Sequence, residues 1–510
     1  MPPLETLAVV PIFVNAGTAV LPTVLAALGG AAALLLRPTA LVAAVRRKPA
    51  VTLAVVVTIA CGVAGAAWVL KPQPAVKAPT KTDWVAVAKQ IIAREEAGVP
   101  AGMPTTMPAT TATAVVEGHD FTRRSADGSA GPAGLKLLWS YTPEDTMFLA
   151  TPSVVGDRIY VAGCVSGLGD FTGLLACLDA ATGKPLWEVT EVGGEPLKAF
   201  FSSPAVSADG KSVVIGQGFH QDRDCPLLCF DAATGKLRWQ AKTTEHVESS
   251  PAIFGDLAVV GVGAIEDRGG RPTGDPGHVM AVRVSDGSVL WRHPVIDAES
   301  SPAIDADGTT FVGSGLNGNA VLAIGTADGK AVRRWKYDTE HAVTGTVTLA
   351  DDAVVIGSGN GTLAASAANP SGAVIALDAR TGKLKWATPM ADTVLGPVAY
   401  NAGLLVAPVR TGEIVALDAA NGAVRWRATV SKTFPVLGGV ALAADKVYAL
   451  AADGTLAVID RQNGRVMEVV ATNAAGRVTF GLASAAPQMI NGRLYVATEA
   501  GGVRCMGGSK

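Results

Sequence analysis

The sequence predicts an all-β fold, an eight-bladed β-propeller of four-stranded blades closed by its N- and C-terminal strands, preceded by two transmembrane helices and a flexible linker. Three observations carry this. "LDAATGKPLW" at Leu178–Trp187 returns as "FDAATGKLRW" at Phe230–Trp239. Trp187, Trp239, Trp291, Trp386 and Trp426 each stand four residues after a glycine, with 40 to 52 residues between repeat tryptophans, the length of one four-stranded blade. The segments between them are Val-rich, alternate in polarity and are broken by Gly, which argues against a helical repeat.

In chain order, residues 1–70 form the membrane anchor. No charged residue occurs from Val9 to Leu36 or from Ala50 to Leu70, and each run is long enough to cross about 30 Å of hydrocarbon as a helix. The spans are therefore expected at about 9–36 and 50–70. The connection between them carries Arg37, Arg46, Arg47 and Lys48, so it belongs on the cytoplasmic side and both termini face out. Cys61 follows a basic start and an apolar run, as in a lipoprotein signal. Thr58 and the continuing apolar stretch after it favour a plain transmembrane cysteine. Residues 71–133 are a Pro/Ala/Thr-rich linker, too poor in apolar surface to offset chain entropy, with one short amphipathic helix expected at about 83–97 behind Asp83.

The propeller is expected over 134–510. Each repeat reads as a small polar start, a Val-rich strand, a strand ending in Asp, a turn, and a strand carrying Trp. Asp179, Asp231, Asp378, Asp418 and Asp460 are placed to accept turn amides, and the following glycine supplies a left-handed turn position. Trp335 follows Gly329 by six residues rather than four, and Glu468 fills the Trp slot of one copy. The last copy lacks a fourth strand, which "GLKLLWSY" with Trp139 can supply from the other end of the domain, leaving no open edge. The tryptophans are expected to pack between neighbouring blades.

The "DAATGKxxW" motif resembles the pyrroloquinoline quinone (PQQ) type repeat. That family includes quinoprotein alcohol and glucose dehydrogenases and a non-catalytic propeller lipoprotein of the outer-membrane barrel-assembly machinery. The resemblance implies the propeller fold and leaves the cofactor open. The dehydrogenase branch resembles itself in a vicinal Cys-Cys disulfide and a calcium set, and the quinohaemoprotein branch in CxxCH; neither motif occurs here. No cofactor and no metal are expected, with PQQ and calcium as the alternative.

Candidate ligand-binding residues lie at the blade starts, which line the central channel: His246 and Glu248 in "HVESSP", Glu299 in "AESSP", and His341 in a second "TEH". Such groups ligate a cation or exchange protons when they converge, and they are also what a repeat leaves on a solvated channel rim. Two loops interrupt the repeat, "GFHQDRDCP" and "EDRGGRPTGDPGH", and loops of this kind hold partners. In the second, Asp267 and Asp275 lack the regular spacing of a calcium loop. Cys177, Cys229 and Cys505 fall in a slot held elsewhere by Ala281, Ala323, Ala376, Ala416 and Val458, a small core position. A Cys164–Cys177 cross-strand disulfide is the one pairing left open.

The net charge is −2 and no Lys/Arg-rich run occurs in the repeat region, so the footprint of a nucleic-acid binder is missing. The expected function is a non-catalytic binding or assembly platform anchored in a bacterial inner membrane, with the propeller extracytoplasmic and a protein partner on its loops. The alternative is a PQQ-dependent alcohol or sugar dehydrogenase feeding electrons to membrane quinone.

Overall fold

The computed structural model describes residues 128–508 apart from 133, 168–169, 266–272 and 474–483. The expected membrane spans, Cys61 and the helix at 83–97 lie outside the described residues. Within them the chain is all-β, and eight sheets follow one another as propeller blades. Blade 1 holds Arg158–Ser166, Phe171–Asp179 and Pro185–Val189, with a first strand split into Thr146–Met147 and Ser153–Val155. Blades 2 to 7 each use four consecutive antiparallel strands. Blade 8 combines Gln488–Ile490, Arg493–Thr498 and Gly502–Gly507 with Lys136–Tyr141 from the start of the domain.

Strand position within a blade can be read from polarity. The second strand of blade 3, "LAVVGV" (Leu257–Val262), is buried at every residue, because both faces of a blade meet a neighbour. Outer strands such as "LKWATPM" (Leu384–Met390) alternate. The core is accordingly a ring of inter-blade cores. Val214, Leu227, Cys229 and Trp239 of blade 2 pack with Ala258, Val260, Met280 and Val282 of blade 3.

The repeat motif builds these junctions. Trp139, Trp187, Trp239, Trp335, Trp386 and Trp426 each donate Nε1–H to a backbone carbonyl in the next blade's turn, on Ala180, Ala232, Val284, Ala379, Ala419 and Arg461 at 2.8–3.1 Å. The rings lie on the turn glycines. A Cβ on Gly183 would sit 2.3 Å from Trp139, and one on Gly287 (φ +75°) 2.6 Å from Trp239, so only glycine fits. Asp179, Asp231 and Asp378 hold their turns by accepting both the amide and the hydroxyl of the threonine three residues on. Asp418 and Asp460 accept turn amides from Ala420, Gln462 and Asn463 without a threonine hydroxyl, and Asp418 also accepts from the Arg425 guanidinium at 2.7 Å.

The two irregular copies have physical reasons. In blade 4 the last hairpin is longer, and its turn is the two-residue Asp328-Gly329 with both φ positive, the pairing a tight hairpin needs. Gly329 then has nothing within 4 Å, and Trp291 bonds Thr326 Oγ1 at 2.9 Å instead of a turn carbonyl. At Glu468 the neighbour is blade 8, whose outer strand arrives from the other end of the domain, so no turn exists for an indole to cover. Glu468 instead accepts the Leu135 amide at 3.2 Å.

The small slot also has a reason. Cys177, Cys229, Ala281, Ala323, Ala376, Ala416 and Cys505 each pair in register with a repeat tryptophan, and Val458 pairs with Glu468. A larger side chain would collide with the indole. No Cys164–Cys177 disulfide forms. Cys164 pairs with Gly173 and Cys177 with Tyr160, four residues apart along one hairpin, about 13 Å. Burial pushes the Cys164 and Cys225 thiols up to about 12 and Cys229 and Cys505 up to about 11, which leaves them neutral packing groups.

The channel wall is sealed in two ways. Ser202, Ser249 and Ser300 each accept an amide from their own blade, on Gly216, Gly261 and Gly313, and donate to the next blade's backbone at Ser249, Ser300 and Gly345. In blades 5 to 7 the slot is Gly345, Gly396 and Gly438, where a Cβ would come within 2.3–2.4 Å of the neighbouring blade's carbonyl. Here the backbones touch directly and no serine fits.

Candidate functional site

The inner strands of all eight blades surround a central cavity of about 270 Å³. Its wall is mostly Ser, Thr, Gly and Leu, and Glu248 and Glu299 are the ionisable residues among the described lining. These two glutamates enter from successive connections, Glu248 before the first strand of blade 3 and Glu299 before that of blade 4. His246 joins them from the same segment as Glu248. Its Nε2 lies 3.3 Å from Glu299 Oε1, and the side chain is 0% exposed. Gly263 makes room for it, since a Cβ there would meet His246 Nε2 at 2.2 Å.

A fourth member comes from the "GFHQDRDCP" loop. His220 places Nδ1 2.9 Å from Glu299 Oε1, donates its backbone N–H to Glu248, and stacks at 4.9 Å, tilted, on His246. The loop is anchored on both sides of it. Phe219 packs on Phe171 and Phe201, Asp222 accepts the Phe219 amide, and Gly218 at φ +95° leaves no space for a Cβ beside Cys225. His220 escapes repeat-based reading because it occupies no repeat slot. The signal that finds it is a histidine in a loop joining the second and third strands of a blade, on the face where the blade connections carry "HVE" and "AES".

His341 does not join the cluster. Its Nε2 lies 3.8 Å from Glu340, and Thr339 Oγ1 donates to its carbonyl oxygen. The "TEH" pair is thus a sequence echo with different surroundings: His246 meets Glu299 across a blade junction, and His341 stays beside its own neighbours.

Electrostatics divides the two carboxylates. Burial opposes ionisation of Glu299, but hydrogen bonds and charge from His220 and His246 outweigh it and hold its carboxyl well below the usual range. Glu248 goes the other way, raised by burial and then by the Glu299 charge. Burial disfavours the His246 cation, yet the Glu299 contact and the Glu248 charge outweigh it and raise its pKa. The cluster can therefore hold a negative charge and protons together at one mouth of the channel.

A second buried network sits beside it. Asp275 accepts from Thr244 Oγ1 and the Gly277 amide and lies 2.8 Å from His278 Nδ1, with His278 1% exposed. Glu245, also 1% exposed, takes Arg223 at 3.1 Å. The Asp275 carboxylate is engaged by these internal bonds, and Asp267, the other carboxylate of the calcium loop weighed from the sequence, lies outside the described residues. Burial opposes Asp275 ionisation, but His278, Thr244 and Gly277 outweigh it and lower its pKa. A lowered folded pKa stabilises the protein above the unfolded value, and that stability is lost as pH falls through the folded one. Asp275→Asn should therefore lower stability at pH 7 by about 3–5 kcal/mol, seen as a lower melting temperature, and flatten the loss of stability below about pH 4. Parallel melting curves of variant and parent from pH 7 to 3 would contradict this.

Comparison with known proteins places the whole repeat region. The family described as "Outer membrane protein assembly factor BamB" matches residues 136–369 and 370–507. The chain belongs to that family. Curated relatives include the quinohemoprotein alcohol dehydrogenase ADH-IIG of Pseudomonas putida, 26% identical over 242 residues, 47% of this chain and 31% of that protein. They also include the outer membrane protein assembly factor BamB of Burkholderia pseudomallei, 29% identical over 145 residues, 28% of this chain and 33% of that protein. The chain spans about a third of the length of these curated relatives. Solved structures of the same fold include BamB from Moraxella catarrhalis (TM-score 0.52, 17% identity, 74% of this chain and 98% of that one). Quinohemoprotein alcohol dehydrogenase from Comamonas testosteroni is another (TM-score 0.57, 17% identity, 77% and 80%).

The quinone that such dehydrogenases imply can be tested against the residues present. PQQ carries three carboxylates, and a buried anion of that charge needs cations or many donors. Among the described cavity-lining residues there is no Lys, Arg or Cys, and the charge present is that of Glu248 and Glu299. This lining does not fit a tricarboxylate quinone.

Proposed function

We propose that the protein is a non-catalytic binding or assembly platform, held in a bacterial inner membrane by the segments at 9–36 and 50–70, with the propeller on the extracytoplasmic side. The observation that carries this reading is the channel: a wall of serine relays and touching glycines around a cavity whose charged groups are two glutamates. Such a ring is a rigid frame presenting loops, and the partner surface is assigned to those loops.

The alternative, a PQQ-dependent oxidoreductase passing electrons to membrane quinone, draws on relatives named quinohemoprotein alcohol dehydrogenase. The two separate in one experiment. The full chain is titrated calorimetrically with PQQ and calcium, then assayed for dye reduction with alcohols and sugars. The platform reading expects neither saturable quinone binding nor turnover. Saturable binding with turnover establishes the dehydrogenase reading in its place.

A further inference from the structure

We propose that the channel mouth binds one divalent transition-metal ion of the zinc class, ligated by His220, His246 and Glu248, with Glu299 positioning the two imidazoles. One ligand atom from each of the three lies within 4.8 Å of the others. They arrive from two separate segments, a loop of blade 2 and the connection into blade 3, so the fold and not a local run of sequence brings them together. The inference goes beyond the platform reading and does not depend on it.

The donor set decides the metal. Two imidazole nitrogens and a carboxylate oxygen suit Zn²⁺ and its borderline neighbours, whereas Ca²⁺ takes six to eight oxygens and Mg²⁺ a near-octahedral oxygen shell. Tetrahedral zinc, with bonds of about 2.0–2.1 Å, holds its ligand atoms about 3.3 Å apart. The trio therefore closes by up to about 1.5 Å on binding, a movement open to the Glu248 side chain, which reaches into the cavity. His246 is fixed: it is wholly buried, Gly263 is cut away to admit it, and its Nδ1 has no hydrogen-bond partner. Leaving a buried ring nitrogen unsatisfied is costly, and ligation through Nδ1 would remove that cost while Glu299 holds Nε2.

Glu299 supplies the outer support that metal-binding histidines recurrently show. Its Oε1 reaches both rings, at 2.9 and 3.3 Å, and a carboxylate on the ring fixes orientation and raises basicity. Because Glu248 and Glu299 face the cavity, an ion there keeps an open position toward the channel and an entry path.

The test is calorimetric titration of the full-length chain, stripped with chelator, with Zn²⁺ alone in two buffers of different ionisation enthalpy. One ion per chain is expected, with the same stoichiometry in both buffers. His220→Ala and Glu248→Gln, both at residues that are not fully buried, should each weaken binding at least 100-fold. Glu299→Gln should weaken it about 10- to 100-fold, and His341→Ala should leave it unchanged. Thermal melting without metal checks that each variant folds. Absence of saturable binding overturns the site, as does binding that survives His220→Ala and Glu248→Gln in folded protein. Tighter binding of Ca²⁺ or Mg²⁺ than of Zn²⁺ overturns the assigned class.

Discussion

Trp239→Ala should lower stability by about 3–5 kcal/mol, the usual cost of removing a buried indole, and at this domain size that is a fall of about 4–6 °C in melting temperature. The indole is 8% exposed, donates to Val284 O at 2.8 Å, and covers Gly287 in the next blade. Its removal opens a void in the core shared by blades 2 and 3 and orphans a carbonyl. Gly287→Ala should also destabilise, because a Cβ there meets the ring at 2.6 Å and the backbone sits at φ +75°. The two should not add. Once the indole is gone, alanine at 287 keeps only its backbone strain of about 1–2 kcal/mol, so the double variant should be less damaged than the sum of the singles. Additive losses in a denaturant or thermal cycle would show that ring and glycine do not act as one lock. Trp335, less buried but bonded alike to Ala379, should show a smaller loss on truncation.

The parts of this fold that the sequence states openly are those that repeat. A turn needing left-handed glycine, an aspartate that must accept its amides, and an indole that must find a carbonyl in the next blade leave the same letters at the same spacing. Even the departures are legible afterwards: two extra residues before Trp335 become a tight Asp328-Gly329 hairpin, and Glu468 marks the one junction without a turn. The candidate site is legible only in part for the opposite reason. His246, Glu248 and Glu299 stand in repeat slots, while His220 comes from a loop whose length no other blade dictates. Nothing in local spacing says that a loop of blade 2 touches the connection between blades 3 and 4. Conversely, "TEH" at His341 looks equivalent to that at His246 and is not, because pairing with Glu299 depends on which blade comes next.

Deleting Lys136–Tyr141 should have the largest effect of all, because it removes the outer strand of blade 8 and with it the closure of the ring. Those residues pair antiparallel with Gly502–Gly507 from Lys136↔Gly507 to Tyr141↔Val503. They also carry Trp139, which donates to Ala180 O and covers Gly183, and Tyr141, which bonds Glu188. Without them the strand Gly502–Gly507 becomes an open edge beside an uncovered blade 1, the arrangement that invites pairing between chains. The expected result is a chain that elutes as oligomer or aggregate and melts far below the parent; an unchanged monomeric profile would show that the ring does not depend on this strand. The register supplies a control that separates loss of the strand from loss of its sequence. Lys136 lies opposite Gly507, as Pro185 lies just past a turn from Leu178 in blade 1. Moving the six residues to follow Gly507 through a turn of the "DAATGK" kind should rebuild blade 8 from one continuous chain and restore the melting temperature. In that permuted chain the new turn would stand where Glu468 now has only the Leu135 amide. Glu468→Trp should then stabilise, whereas in the parent, with no turn to cover, it should not.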